Sequence, residues 1–163
     1  MDTTASRLWK RLSREERLAA ATFFFREPPE EVVGSALAAI IKARHLRPQV
    51  ARTMSADEQG RALASVLDPG EPLAASLLVA LHLGERRPML ATFLDAASIP
   101  HEEGLLKDDA PPAPLGEEAA RAGVKALLAA YPREHVQTYL NTLWLQDPDR
   151  WAALENLSPA SVS

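Results

Sequence analysis

The hydrophobic positions of the chain recur mostly with helical spacing. Val33, Leu37, Ile40 and Ile41 follow one another at intervals of four, three and one residues, which places them on one face of a helix. No segment long enough to be a strand alternates apolar and polar residues and is also rich in β-branched residues, so we expect no sheet. The pattern predicts an all-α protein, a compact helical bundle of about seven or eight helices built from antiparallel helix pairs.

Capping signals mark where several of these helices begin. The segments from Ser13 to Glu16 and from Ser55 to Glu58 both have the serine-x-x-glutamate pattern of a capping box. Pro48 is interpreted as the start of a short turn, and Asp147-Pro148 as the start of a last short helix. The segment 73–83 is apolar almost all round, so we expect that helix at the centre of the core.

The helical pattern lapses between residues 100 and 116. Four prolines and two adjacent aspartates fall in this stretch, which we interpret as one long loop and the most mobile internal segment of the chain. The remaining helices are assigned to a single domain over residues 1–157, and residues 158–163 are expected to fray.

Near the C-terminus, an apolar stripe predicts a pair of packed helices. Tyr139, Leu143 and Trp144 are expected to be core residues, packed against the helix that carries Val124 and Leu127, because the short Tyr131-Pro132 junction makes the two helices neighbours. Leu128 belongs to the same stripe. A largely buried Trp144 would cost about 3–5 kcal/mol on replacement by alanine.

Helix–proline–helix junctions recur along the chain. Arg47-Pro48 and Arg87-Pro88 are 40 residues apart, and this offset superimposes Leu37 on Leu77 and Ile41 on Leu81. A period near 40 made of helix pairs resembles that of HEAT-type repeats, which would imply a short αα-repeat array. The alternative, which we prefer, is an irregular bundle whose junctions coincide by chance.

Composition and charge narrow the function classes. The 163 residues include no cysteine, which excludes disulfide scaffolds, thiolate metal sites and cysteine nucleophiles. The longest apolar run has 11 residues, whereas a membrane span needs about 20, so we expect no membrane association and a cytoplasmic location. Residues 1–54 carry a balance of +4 and residues 55–163 a balance of −8. This asymmetry indicates either a site for an anionic partner or an ordinary solvated surface, and we prefer the second interpretation.

Few residues suggest chemistry. His45 ends a predicted helix, and His82 lies within the apolar helix as an expected core histidine with one backbone partner. His101 beside Glu102 is the sharper case, because a histidine next to carboxylates can act as an acid or base or hold a cation. A polar turn is the alternative. The weak candidates for ligand binding are therefore His82, Asp95, His101 and Glu102; we predict no catalytic residue, no metal and no cofactor.

Glycines carry no phosphate-binding or hydrolase signature. Gly34, Gly60 and Gly123 fall within predicted helices, where each costs about 1 kcal/mol relative to alanine. Two explanations stay open: the glycines allow two helices to approach closely, or they occupy exposed positions where the residue type matters little.

Two classes of function follow. The first is a non-catalytic protein–protein interaction or scaffold module that binds a protein partner or itself, and this is the function we predict. The second is a small-ligand-binding protein or enzyme with its site near His82, Asp95, His101 and Glu102 under the 100–116 loop. Nucleic acid is not an expected partner, because the segment after Pro48 is too short for a recognition helix.

Overall fold

The computed structural model describes residues 3–107 and 114–157, and these form an all-α protein. The prediction of fold class is confirmed, with nine α-helices in the described residues and one short strand pair. The helices are α1 (Ala5–Arg11), α2 (Arg14–Arg26), α3 (Glu30–Arg44), α4 (Pro48–Thr53), α5 (Ala56–Ala64), α6 (Glu71–Leu83), α7 (Arg87–Ala96), α8 (Glu117–Ala130) and α9 (Arg133–Gln146). The strands are β1 (His101–Glu102) and β2 (Leu105–Leu106), and a turn of 3-10 helix covers Ala152–Leu154.

The chain divides into two compact units. The N-terminal unit spans Thr3–Glu85 and contains α1 to α6, and the C-terminal unit holds the described residues from Arg86 onward. The single domain over residues 1–157 stays a prediction. Residues 108–113 of the expected long loop, and the expected frayed tail, lie outside the described residues.

In the N-terminal unit, α2 packs chiefly against α5 and α6. The α2–α5 contact is close because Gly60 has no side chain: a methyl group there would lie 3.0 Å from Thr22 Cα. The apolar α6 is buried along most of its length, as its pattern predicted. Both predicted capping boxes are present, with the Ser13 and Ser55 side chains accepting from the backbone N–H groups of Glu16 and Glu58.

Two short helices depart from the expectation. α1 was not predicted, and its N-terminus is stabilised by the Glu71 carboxylate, which accepts from the backbone N–H groups of Ala5 (2.9 Å) and Ser6 (3.2 Å). That partner lies more than 60 residues away in sequence, so no local signal announces it. Pro48 is the first residue of helix α4 and does not begin a turn as predicted. Proline is tolerated there because the backbone N–H of the first helical residue has no partner within the helix, so nothing is lost when it is missing.

The core of the C-terminal unit is centred on Phe93. Its ring meets Tyr139 edge-to-face with the ring centroids 5.7 Å apart, and it meets Trp151 at 6.0 Å. Gly123 of α8 lies directly against the same ring, where a methyl group would come within 2.6 Å of it. α8 therefore packs chiefly against α7 rather than, as predicted, against α9. Burial raises the pKa of the Tyr139 hydroxyl far above its ordinary value.

The predicted core positions of α9 are partly wrong. Tyr139 is buried, as are Val124 and Leu127 on α8, but Leu143 and Trp144 are only half-buried. The inward face of α9 is formed by residues nearer its middle, whereas Trp144 lies in the last turn. Trp151, in the segment that follows, is buried and contacts Phe93.

The two Arg-Pro junctions begin α4 and α7, so their helix–proline–helix character is confirmed. The two helices differ in length, with 6 residues in α4 and 10 in α7. Whether the junctions belong to a repeat or to an irregular bundle stays a prediction. Among the described residues, every helix falls short of the length and apolar character of a membrane span.

Candidate functional site

A β-hairpin occupies the start of the segment predicted as a loop. His101 pairs with Leu106 and Glu102 with Leu105, so the expectation of no sheet is wrong at this one place. The two-residue turn is formed by Glu103 and Gly104, with φ of 49° and 85°. Both values are positive, as in the type I′ turn that matches the twist of a hairpin. Glycine is required at the second position because a methyl group would meet Leu90 Cβ at 2.9 Å.

His101 and Asp95 are brought together by this hairpin. The Gly104 backbone N–H donates to His101 Nδ1 (3.0 Å), and His101 Nε2 donates to Asp95 Oδ1 (2.8 Å). The backbone N–H can only donate, so Nδ1 is the unprotonated nitrogen and Nε2 carries the proton. The imidazole thereby connects the end of α7 to the turn of the hairpin, and we call this arrangement the histidine clasp.

In the histidine clasp, the Nδ1 lone pair that a general base would need already accepts a hydrogen bond from the Gly104 N–H. If Nδ1 took up a proton, it would become a hydrogen-bond donor and could no longer accept from the Gly104 N–H. The turn would then lose that hydrogen bond. Asp95 is 76% exposed at its side chain, whereas His101 is 11% exposed. This is the geometry of a side chain that holds a turn in place.

The other two candidates, Glu102 and His82, take no part in the hydrogen bonds of the histidine clasp. Glu102 is the exposed residue that follows His101 in β1. His82 belongs to the N-terminal unit, where it is 3% exposed and its Nδ1 lies 2.7 Å from the Leu78 carbonyl oxygen. This agrees with the expected core histidine with a backbone partner. Ligand binding by these four residues stays a prediction.

Metal ligands do not cluster in the described residues: no group of three or more histidine, aspartate and glutamate side chains could hold an ion there. His45 follows the end of α3 as a capping residue in the left-handed conformation, with φ of 52° and its backbone N–H donating to the Ile41 carbonyl. Its position is the helix-end role predicted from the sequence.

A groove in the N-terminal unit is the site that sequence reasoning missed. It has a volume of about 420 Å³ and lies where the first turns of α2, the end of α3 and one face of α5 meet. Arg14 and Leu18 are four residues apart on α2, and Glu58, Arg61 and Ser65 follow the same periodicity on α5 and just beyond it. We call this the arginine groove, and its lining residues are Arg14, Leu18, Arg44, Met54, Glu58, Arg61, Ala64 and Ser65.

The electrostatics of the arginine groove are unbalanced. Its three arginines are exposed, and within the described part of the chain none of their guanidinium groups forms a hydrogen bond or an ion pair within 4 Å. The one carboxylate, Glu58, accepts from the backbone N–H (2.8 Å) and hydroxyl (3.0 Å) of Ser55. These hydrogen bonds, with a smaller contribution from Arg61, lower the pKa of Glu58 below its usual value. The groove therefore carries a net positive charge at neutral pH.

The sequence contained one signal for this groove, the positive balance of residues 1–54. It did not identify the residues, because Arg14, Arg44 and Arg61 are separated by 30 and 17 positions and meet only through tertiary packing.

Comparison of the chain with protein-family models, with curated proteins and with solved structures gave no match.

Proposed function

We propose that this chain is a non-catalytic protein–protein interaction module that binds its partner through the arginine groove. The observation that carries the proposal is the set of three exposed arginines, none of which has an ion pair within 4 Å among the described residues, around apolar side chains. Leu18, at 37% exposure, and the half-buried Met54 provide apolar contact area within the groove. Arginine is enriched at protein interfaces, where its planar guanidinium provides directional hydrogen bonds and its stem packs on apolar surface.

The histidine clasp supports the non-catalytic part of the proposal. His101 was the residue with the clearest potential for acid–base chemistry, and its two ring nitrogens serve the hairpin instead. As part of the same proposal, the module acts in the cytoplasm and its partner is a protein rather than a nucleic acid.

Site-specific photo-crosslinking tests this function. A photoreactive phenylalanine is introduced at Ser65, which lines the arginine groove, and separately at Ser35, an exposed position on α3 outside it. In native cells, we expect Ser65 to give a discrete protein adduct that Ser35 does not give. The captured protein is then purified and its binding to the wild-type chain is measured by calorimetry. Absence of a protein adduct at Ser65, or a captured protein that does not bind in the purified system, would contradict the proposal.

A further inference from the structure

The geometry of the arginine groove points to the chemistry of the partner: we propose that it binds an acidic protein segment with an apolar side chain between its carboxylates. This inference rests on the proposed function and specifies what the partner must present. The carboxylates would pair with Arg14, Arg44 and Arg61, and the apolar side chain would lie on Leu18 and Met54.

The first support is the placement of the positive charges. Arg14 lies in the first turn of α2, where the helix dipole disfavours a cation. Arg44 and Arg61 come from two other helices and line the same groove, without an ion pair to any described residue. Like charges collected in one concave surface repel each other, and carboxylates of a bound segment would relieve that repulsion through bidentate hydrogen bonds.

The second support is the mixed character of the lining. Leu18, Met54 and Ala64 contribute apolar atoms to the same groove as the arginines. A volume of about 420 Å³ is at the lower end of the range for ligand sites, which suits a few side chains of a peptide rather than a large cofactor. An apolar anchor surrounded by charged contacts is the usual arrangement of a small protein interface.

Two further observations favour carboxylates over phosphate and nucleic acid. At the N-termini of α2 and α5, the backbone N–H groups of Ser13 and Ser55 already donate to the carboxylates of Glu16 and Glu58. Fewer N–H groups are therefore left there for a phosphate, the ligand that helix N-termini commonly bind. No lining residue of the groove is aromatic, so the groove lacks the stacking surface that single-stranded nucleic acid uses.

Fluorescence anisotropy with a defined peptide tests the inference. The probe is a fluorescein-labelled peptide with a central leucine flanked on each side by acidic residues, and the full chain is titrated into it at low salt. We expect saturable binding that weakens as salt is added, because exposed charges are screened. Replacement of Arg14, Arg44 and Arg61 together by glutamine should weaken binding about tenfold or more.

A matched variant controls for net charge. Arg7, Arg26 and Arg52 are exposed, belong to the same unit and do not line the groove. Their joint replacement by glutamine removes the same charge, and we expect the dissociation constant to change by no more than about twofold. Melting followed by circular dichroism confirms that both triple variants are folded.

Single substitutions separate charge from apolar contact. Glu58→Gln removes the one negative charge of the groove and keeps a side chain suited to the capping box, so the peptide should bind more tightly. Glu16→Gln makes the same change at the capping box of α2, outside the groove, and should leave peptide binding unaltered. Leu18→Ser should weaken binding, as should replacement of the leucine in the peptide by serine. Leu67→Ser, at a comparably exposed position outside the groove, should not.

The outcomes are distinguishable. No saturation at about 1 mM protein, or equal weakening by the two triple variants, overturns the inference. So does displacement of the peptide by single-stranded DNA or inorganic phosphate at lower concentrations than by unlabelled peptide. Self-association abolished only by the groove triple variant would make a second copy of the chain the occupant and would also overturn it. If the peptide fails while the Ser65 adduct identifies a protein that binds, the inference is lost and the proposed function stands.

Discussion

Gly60 offers a sharp test of how the N-terminal unit is packed. A methyl group at this position would lie 2.9 Å from Thr22 Oγ1, 3.0 Å from Thr22 Cα and 3.1 Å from Thr22 N. Two of these atoms belong to the backbone of α2, so a change of rotamer cannot relieve the overlap and α2 and α5 must move apart. Overpacking of this kind costs about 1–3 kcal/mol, and alanine returns about 1 kcal/mol of helix propensity. Together these contributions predict that Gly60→Ala destabilises the protein by up to about 2 kcal/mol.

Gly34 provides the matched control. It is also a helical glycine, but nothing lies within 4 Å of the position that its Cβ would take. Gly34→Ala should therefore stabilise the protein by about 0.5–1 kcal/mol. Urea unfolding followed by circular dichroism compares the two variants with the wild type. If Gly60→Ala is as stable as Gly34→Ala, the α2–α5 contact is not as close as described. Full rescue of Gly60→Ala by Thr22→Ala would show that only the side chain, and not the backbone, sets the limit.

Three further predictions test other parts of the account. Trp151→Ala should lower the free energy of unfolding by about 3–5 kcal/mol, as expected for a buried aromatic residue. Trp144→Ala should lower it by less, because Trp144 is half-buried; equal losses of stability in urea unfolding would refute this order. His101→Ala should destabilise the protein by about 1–2 kcal/mol through the loss of two hydrogen bonds while leaving peptide binding intact, and a loss of binding in anisotropy would contradict the structural role. Because the pKa of Glu58 is lowered in the folded state, its carboxylate stabilises the protein above the ordinary value of 4.5, and this effect is lost as the pH falls through the lower, folded-state pKa. The difference in melting temperature between the wild type and Glu58→Ala should therefore shrink as the pH is lowered below 4.5, and a constant difference would exclude that cause.

Local signals predicted the features that depend on local interactions. The capping boxes at Ser13 and Ser55 were recognised because both partners lie within four residues of each other. The hairpin was missed because its strands have two residues each, too few to show an alternating pattern. Its clearest signal was the glycine after Glu103, since a two-residue hairpin turn commonly ends on glycine.

Features that depend on tertiary packing could not be found in this way. The stripe on α9 is wide enough to include Trp144, but tertiary packing buries Tyr139 against Phe93 and leaves Trp144 half-buried. The roles of the helical glycines also differ by environment: Gly60 and Gly123 lie against neighbouring residues, whereas Gly34 faces open space. The arginine groove is the same kind of case, because its cations come from three helices.

If the arginine groove is the binding surface of this chain, the side chains of its arginines must respond to the acidic peptide. An NMR titration that follows the Nε–H resonances of the arginine side chains while the peptide is added measures this response. We expect Arg14, Arg44 and Arg61 to shift together along one saturable curve while the arginines outside the groove do not move. Shifts confined to those other arginines, or to the hairpin at His101, would show that the peptide binds elsewhere.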